Sequence, residues 1–222
     1  PRFLSDIDSN VVVNPPSNDT LTLTISQIQT PNGGSGDSPY LDSTVITTGV
    51  VTAINPSTGY WIQQPTGGAY SGVYVFDNFN TPTIGDEITI TSQVNEYYNL
   101  TELTNVSVFN INSSNNSFVI TALNTISVSN EMYEGVMVSV AGAICNTIPN
   151  NFGEWIVNDG SGDLEVDDLL YTYGATLNTD YDVTGVVGYS FNTYELLPRF
   201  LSDIDSNVVV NPPSNDTLTL TI

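Results

Sequence analysis

The first 25 residues of this chain are repeated as its last 25. Residues 1–25 read PRFLSDIDSNVVVNPPSNDTLTLTI, and residues 198–222 read the same without one difference. An identity of that length is not a product of chance. The copies stand 197 residues apart, and self-similarity at a fixed period is the signature of repeat architectures. The chain therefore reads as a window on a tandem array, with Arg2 and Arg199 one residue seen twice. A rival account is a self-contained subunit that polymerises by exchanging a terminal strand. Strand exchange does not require identical ends, so the array is the simpler account.

A fainter duplication lies inside the period. TGVVTAINPSTGYWIQQPTGG (48–68) resembles AGAICNTIPNNFGEWIVNDGSGD (141–163), and YYNLTELTNVSVF (97–109) resembles SFNTYELLPRFLSDI (190–204). Glu102-Leu103 align with Glu195-Leu196, and Trp61 with Trp155. Each period thus holds two related modules, at 20–120 and 121–207. Residues 1–19 read as the end of a preceding repeat with its linker. Residues 208–222 read as a linker and the first strand of the next repeat.

Period-2 alternation dominates both modules and helical periodicity is absent. Ile84, Ile88, Ile90 and Val94 alternate with Glu87, Thr89, Thr91 and Gln93, as in a half-buried strand. Strands are expected near 45–54, 59–64, 72–77, 86–95 and 98–111, then near 136–145, 153–158, 164–171, 180–189 and 192–204. Turn clusters rich in Gly, Pro and Asn separate them. Thr20–Ile25 alternates strictly and reads as a leading strand. The fold class is all-β, with two tandem OB-like five-stranded Greek-key barrels per repeat. Gly49 and Gly142, in mid-strand, would let each long first strand bend and serve both sheets. A β-sandwich is the alternative architecture.

TISQIQ (24–29), SPYLDSTVITTGVVTAI and GYWIQQPTGGAYSGVYVF, with YEGVMVSVAGAI (133–144), EWIVNDGSGD and NTYELLPRFLSDI, carry a family likeness. They resemble the OB-fold modules of large bacterial secreted and cell-surface proteins, and are similar to the accessory OB-fold domains of extracellular nucleases. The resemblance covers most of residues 24–206. It implies a fold and an extracellular or cell-surface setting. In such nucleases catalysis lies in a separate domain, and no counterpart is found here.

The residue inventory narrows the chemistry. The chain carries 24 Asp+Glu, 2 Lys+Arg and no His, a formal charge of −22. The basic residues are Arg2 and Arg199, so Lys is absent too. Schiff-base chemistry, imidazole catalysis and imidazole metal ligation are excluded. So is a nucleic-acid partner, which needs basic side chains to displace counterions. Apolar runs are too short for a membrane helix. Hydrophobic residues make up 40% of the chain, enough for packed cores. Carboxylate pairs are unavoidable at this composition and do not by themselves mark a hydrolase.

Calcium is the one ion for which the sequence offers ligands. Asp203, Asp205 and Asn207, repeated as Asp6, Asp8 and Asn10, have the spacing of half a calcium loop. The glycine and distal Glu of a full loop are missing, and a solvated strand end accounts equally for the pattern. Asp159 and Asp163 lie in a second acidic stretch that also reads as a hairpin turn. Arg199 reads as a structural ion pair to Glu195 or Asp203. Trp61, Trp155, Tyr60, Tyr97, Tyr98 and Tyr194 would serve as barrel core, module contacts or a stacking platform for sugars. Cys145, the single cysteine, cannot form an internal disulfide and reads as a buried thiol. Asn18, Asn99, Asn105 and Asn115 head N-x-S/T sequences, which an Asn-rich chain generates freely.

These readings add up to a structural protein without catalysis or a required cofactor. It would be a repeat of an extracellular filament or cell-surface appendage whose main partner is the next copy. Leu21, Leu23, Ile25, Pro212 and Pro213 are the expected inter-repeat contacts. An adhesin stalk or carbohydrate-binding module, with cell-surface glycans as partners, is one alternative. A non-catalytic region of a secreted enzyme is the other.

Overall fold

The computed structural model describes residues 20–32 and 36–207. Asp6, Asp8, Asn10, Asn18, Pro212 and Pro213 lie outside those residues. The chain opens with β1 (Leu21–Thr22) and α1 (Ile25–Gln29), followed by five long strands. These are β2 (Thr44–Asn55), β3 (Gly59–Gln63), β4 (Gly72–Phe76), β5 (Glu87–Tyr97) and β6 (Leu100–Ser113). The second half repeats the plan with β7 (Thr121–Ala122), α2 (Thr125–Val128), β8 (Met137–Thr147), β9 (Trp155–Asn158) and β10 (Asp163–Val166). It ends on β11 (Asp180–Ser190), β12 (Thr193–Leu197) and β13 (Ile204–Ser206).

The fold is all-β, as the alternation requires. β2, β3, β4, β6 and β5 pair in that order, and β5 pairs back to β2, closing a five-strand barrel. β8, β9, β10, β12 and β11 follow the same relative order, and β11 pairs back to β8. In both modules the third and fifth of these strands run parallel: Val75 faces Leu103 in one and Glu165 faces Glu195 in the other. Each module is preceded by a two-residue parallel strand, β1 on β2 and β7 on β8.

The leading segment departs from the expected strand. Thr20–Ile25 contributes only Leu21 and Thr22 to the sheet before the chain turns into α1. Thr24 stops the strand by capping. Its hydroxyl accepts the Gln27 N–H, and the Gln27 side chain accepts the Thr24 N–H. That reciprocal pair is the capping box, worth about 1 kcal/mol. It turns Ile25 and Ile28 into the first core, where both are fully buried. Asn124 caps α2 through the Ser127 N–H in the equivalent place.

The two mid-strand glycines serve different needs. Gly142 takes a left-handed φ of +63° beside a bulge in the β8–β11 ladder, and its N–H donates to Asp182. Gly49 is needed for space, because a Cβ there would stand 2.8 Å from the Cδ1 of Ile25.

Each module has its own core. Ile62, Val73, Ile88 and Leu103 lie in the first, and Trp155, Val157, Leu164 and Leu196 in the second. A third apolar cluster joins them, in which Ala53, Trp61 and Tyr74 of the first module meet Met137, Val186 and Leu197 of the second.

Candidate functional site

The junction between the modules concentrates the unusual chemistry of the chain. Gln63, fully buried, bridges it with its whole amide: Nε2 donates to the Val119 carbonyl and Oε1 accepts the Met137 N–H at 2.7 Å. Gln29 donates to the Gly72 carbonyl, and Tyr70 N–H to the Met132 carbonyl. Such buried bonds fix orientation as well as affinity, since an unpaired polar group there costs about 1–3 kcal/mol.

Arg199 closes one side. Nε and Nη2 hold the two carboxylate oxygens of Asp203 at 2.8 and 2.9 Å, and Nη1 donates to the Thr52 carbonyl of the first module. The backbone N–H of Arg199 also donates to Asp203. The expected ion pair thus forms with Asp203 rather than Glu195, and it reaches across the junction.

Asp203 is committed to that pair, which separates it from the other expected calcium ligands. Asp205 is exposed, and Asn207 donates its amide to Asp180 and Asp182. Asp159 accepts from Ser161 and Thr125, and Asp163 from Asn158 and Asn146. Burial works to raise the Asp159 carboxyl, but these bonds outweigh it and hold the group below the ordinary range. Both acids therefore act as turn acceptors. Among the described residues no set of three or more acidic or thiol side chains is arranged to hold a metal ion.

Glu134 is a buried carboxyl near the junction. Glu134 accepts the Thr101 N–H through Oε1. Burial first, then the charges of Glu131 and Glu96, push Glu134 well above the usual range.

A cleft of about 1450 Å³ is lined by residues of both modules. Each module lines it with the same pair of turns. From the first come the β2–β3 turn, with Asn55 and Thr58, and the β5–β6 turn, with Tyr98 and Asn99. From the second come the β8–β9 turn, with Phe152, and the β11–β12 turn, with Phe191 and Asn192. The two-residue turns at 98–99 and 191–192 are left-handed throughout, with φ of 51°, 70°, 45° and 70°. Such turns match the twist of a hairpin and favour Asn or Gly. An aromatic ring occupies the first position in both, and Tyr98 and Phe191 are 82% and 99% exposed.

Glu102 and Glu195, the aligned pair, lie within the cleft with Glu154 and Asp167. Asn95 donates to Glu102, and Ser190 to Glu195. Burial raises Glu102. Burial, with the charges of Asp167, Glu165 and Glu154, pushes Glu195 up to about 7.

Of the expected aromatic platform, Tyr97 and Tyr98 are exposed at the cleft, whereas Tyr60 and Trp155 are core. Trp61 is 5% exposed at the module seam, tilted against Tyr74 at 4.7 Å, and both rings also line the cleft. Tyr194 donates to Glu131. Phe76, Phe152 and Phe191, which composition alone does not distinguish from core phenylalanines, complete the cleft. Phe152 and Phe191 stand in turns, where a large apolar side chain has no core to enter, and Phe76 ends β4. Cys145 is buried, donates to the Thr147 carbonyl, and has its thiol raised by that burial.

No family model and no curated protein matches the chain. Among solved structures, one described as "Structural mimicry for functional antagonism" is similar over 72% of this chain and 91% of its own, at 13% identity and a TM-score of 0.34. Among the described residues no helix is long and apolar enough to cross a membrane.

Proposed function

We propose that the chain is a structural repeat of an extracellular filament or cell-surface appendage, built from two OB-like modules per 197-residue period and without a catalytic role. The observation that carries the reading is the divided use of the duplicated 25 residues. In the copy at 1–25 the tail belongs to the first module, where Thr20–Ile25 supplies β1, the cap and the start of α1. In the copy at 198–222 the head belongs to the second module, where Arg199 clamps Asp203 and Ile204–Ser206 forms β13 on β11. One such segment set between two units would finish one and begin the next. Residues equivalent to 11–19 would be the connector, with its Pro pair limiting flexibility.

The OB-like assignment is supported by the strand order first-second-third-fifth-fourth, with the third and fifth parallel. The resemblance to secreted and surface-bound modules supports the extracellular setting. Within a unit the apolar seam and Gln63 hold the modules as one body. In an array each unit then contacts its neighbours, which are its principal partners. A charge of −22 over the chain keeps neighbouring filaments apart in solution. No cofactor is needed for this role.

The test is to read the coding sequence beyond Ile222 and to image the native assembly by electron microscopy. Continuation at the equivalent of Ser26, with filaments whose axial repeat matches one unit, is the expected result. A discrete monomer with an unrelated continuation would sink the proposal.

A further inference from the structure

We propose that the inter-module cleft binds an extended, uncharged saccharide, with Tyr98 and Phe191 as stacking faces and Glu102 and Glu195 as acceptors for its hydroxyl groups. This goes beyond the filament reading and does not depend on it.

The ligand class follows from what the cleft offers. Its size, about 1450 Å³, exceeds the 300–1,000 Å³ of typical small-ligand pockets. The occupant is therefore extended. The ionisable side chains that the cleft brings together are Glu102, Glu154, Asp167 and Glu195 beside several tyrosines, with no Lys or Arg among its lining residues. An acidic polysaccharide or a nucleic acid would meet uncompensated repulsion.

Carboxylates only accept hydrogen bonds when ionised. A partner that brings donors is favoured while these groups are ionised, which for Glu195, raised to about 7, is above that pH. Sugars bring many hydroxyl donors and, on the faces of the ring, patches of C–H that pack on aromatic surfaces. Both demands are met here. Phe76, Tyr97, Tyr98, Phe152 and Phe191 are each about half exposed or more, and all line this one cleft. Exposed aromatics gathered in a single concavity mark an interaction site rather than scattered surface apolarity. Asn55, Asn99 and Asn192 add amides that donate as well as accept.

The symmetry of the arrangement adds a second line. Equivalent turns of both modules carry an aromatic into the same cleft, and equivalent glutamates stand in both. A linear chain of similar sugar rings is a ligand that can meet two copies of one constellation.

The test is an array of neutral polysaccharides and oligosaccharides probed with the intact chain, then titration calorimetry of the strongest binder. A charged reference, oligogalacturonate, is titrated beside it. Binding of a neutral glycan is expected, with affinity reduced about tenfold in the Tyr98→Ala/Phe191→Ala variant, two stacking contacts being removed. Both side chains are exposed, so the circular dichroism spectrum should not change. Glu102→Gln/Glu195→Gln keeps the shape of the cleft and should also weaken binding. The proposal is overturned if no neutral glycan binds, if the aromatic variant binds undiminished, or if oligogalacturonate binds as tightly. Each of these results leaves the filament reading standing.

Discussion

A Cβ placed on Gly72 would lie 2.0 Å from the carbonyl oxygen of Gly135. Gly72 begins β4 of the first module, and Gly135, at a φ of +72°, precedes β8 of the second. The modules thus touch backbone to backbone at this point, next to the bond from Gln29 to the Gly72 carbonyl. Neither atom belongs to a flexible side chain, so added bulk can be accommodated only by moving one module off the other. Gly72→Ala is expected to destabilise the chain by about 2 kcal/mol, the usual scale of overpacking. It should also split one calorimetric transition into two as the modules uncouple. A single unshifted transition would contradict the close approach.

Arg199 tests the same junction from the other side. It and Asp203 are 11% and 7% exposed at their side chains. Removing the guanidinium strands a buried carboxylate and leaves the Thr52 carbonyl without this donor. Arg199→Ala is expected to cost about 3–5 kcal/mol, as for other buried pairs broken on one side. Arg199→Lys should recover only a part, because an ammonium cannot hold both Asp203 oxygens and reach Thr52 in the planar geometry that a guanidinium provides. Urea denaturation of the two variants gives the comparison.

The sequence rule that worked was alternation. Ile88, Ile90 and Val94 face inward on β5 because each second side chain points to the same side, and the strand follows the expected course. Gly59 and Gly72 begin strands where turn residues end, whereas the strands expected at 164–171 and 192–204 stop at Val166 and Leu197. The short helices were not legible. Four or five residues cannot display a helical period, and Leu21, Leu23 and Ile25 fit a strand equally well. Only the Thr24 to Gln27 spacing signals the cap, and the alternation around it fits a strand. In the D-x-D stretch Asp203 is engaged by Arg199, four residues earlier, a pairing that the spacing of the acids does not show. The cleft was beyond reach for a different reason. Tyr98 and Phe191 are brought together by the packing of two modules, which no local pattern encodes. Trp61 and Tyr98 both line the cleft, yet one is 5% exposed and the other 82%.

The pH dependence of stability should run opposite to simple acid denaturation over part of its range. Glu195 has an ordinary value of 4.5, raised to about 7 in the folded chain by burial and then by neighbouring acids. Between those values the folded chain keeps a proton that the unfolded chain has released. Its contribution to stability is therefore full below 4.5 and is lost as pH rises through about 7. Glu134 is shifted in the same direction. Asp159 is shifted downward and acts in the opposite sense, at the acid end of the range. The melting temperature is expected to rise as pH falls from above 7 toward 4.5. Glu195→Gln should flatten that rise, since an amide has no proton to lose. A melting temperature that falls steadily across this window in the parent chain would be inconsistent with these burial effects.

The hairpin tips predict a conflict between stability and binding. Phe191 holds a φ of 45° and Tyr98 one of 51°, a region that costs a residue with a Cβ about 1–2 kcal/mol. Phe191 is 99% exposed, so its ring recovers little of that cost by packing within the chain. Asn tolerates the left-handed region and is favoured in this kind of turn. Phe191→Asn is therefore expected to stabilise the chain by about 1 kcal/mol, read from the urea midpoint, even though it removes a large apolar side chain. Tyr98→Asn should gain less, because Tyr98 contacts Tyr97 edge to face at 4.8 Å. Both changes should weaken saccharide binding if the rings are held out as stacking faces. A loss of stability on Phe191→Asn would mean that the ring has a packing role in the assembled chain, and would remove the strain argument from the tip of β11–β12.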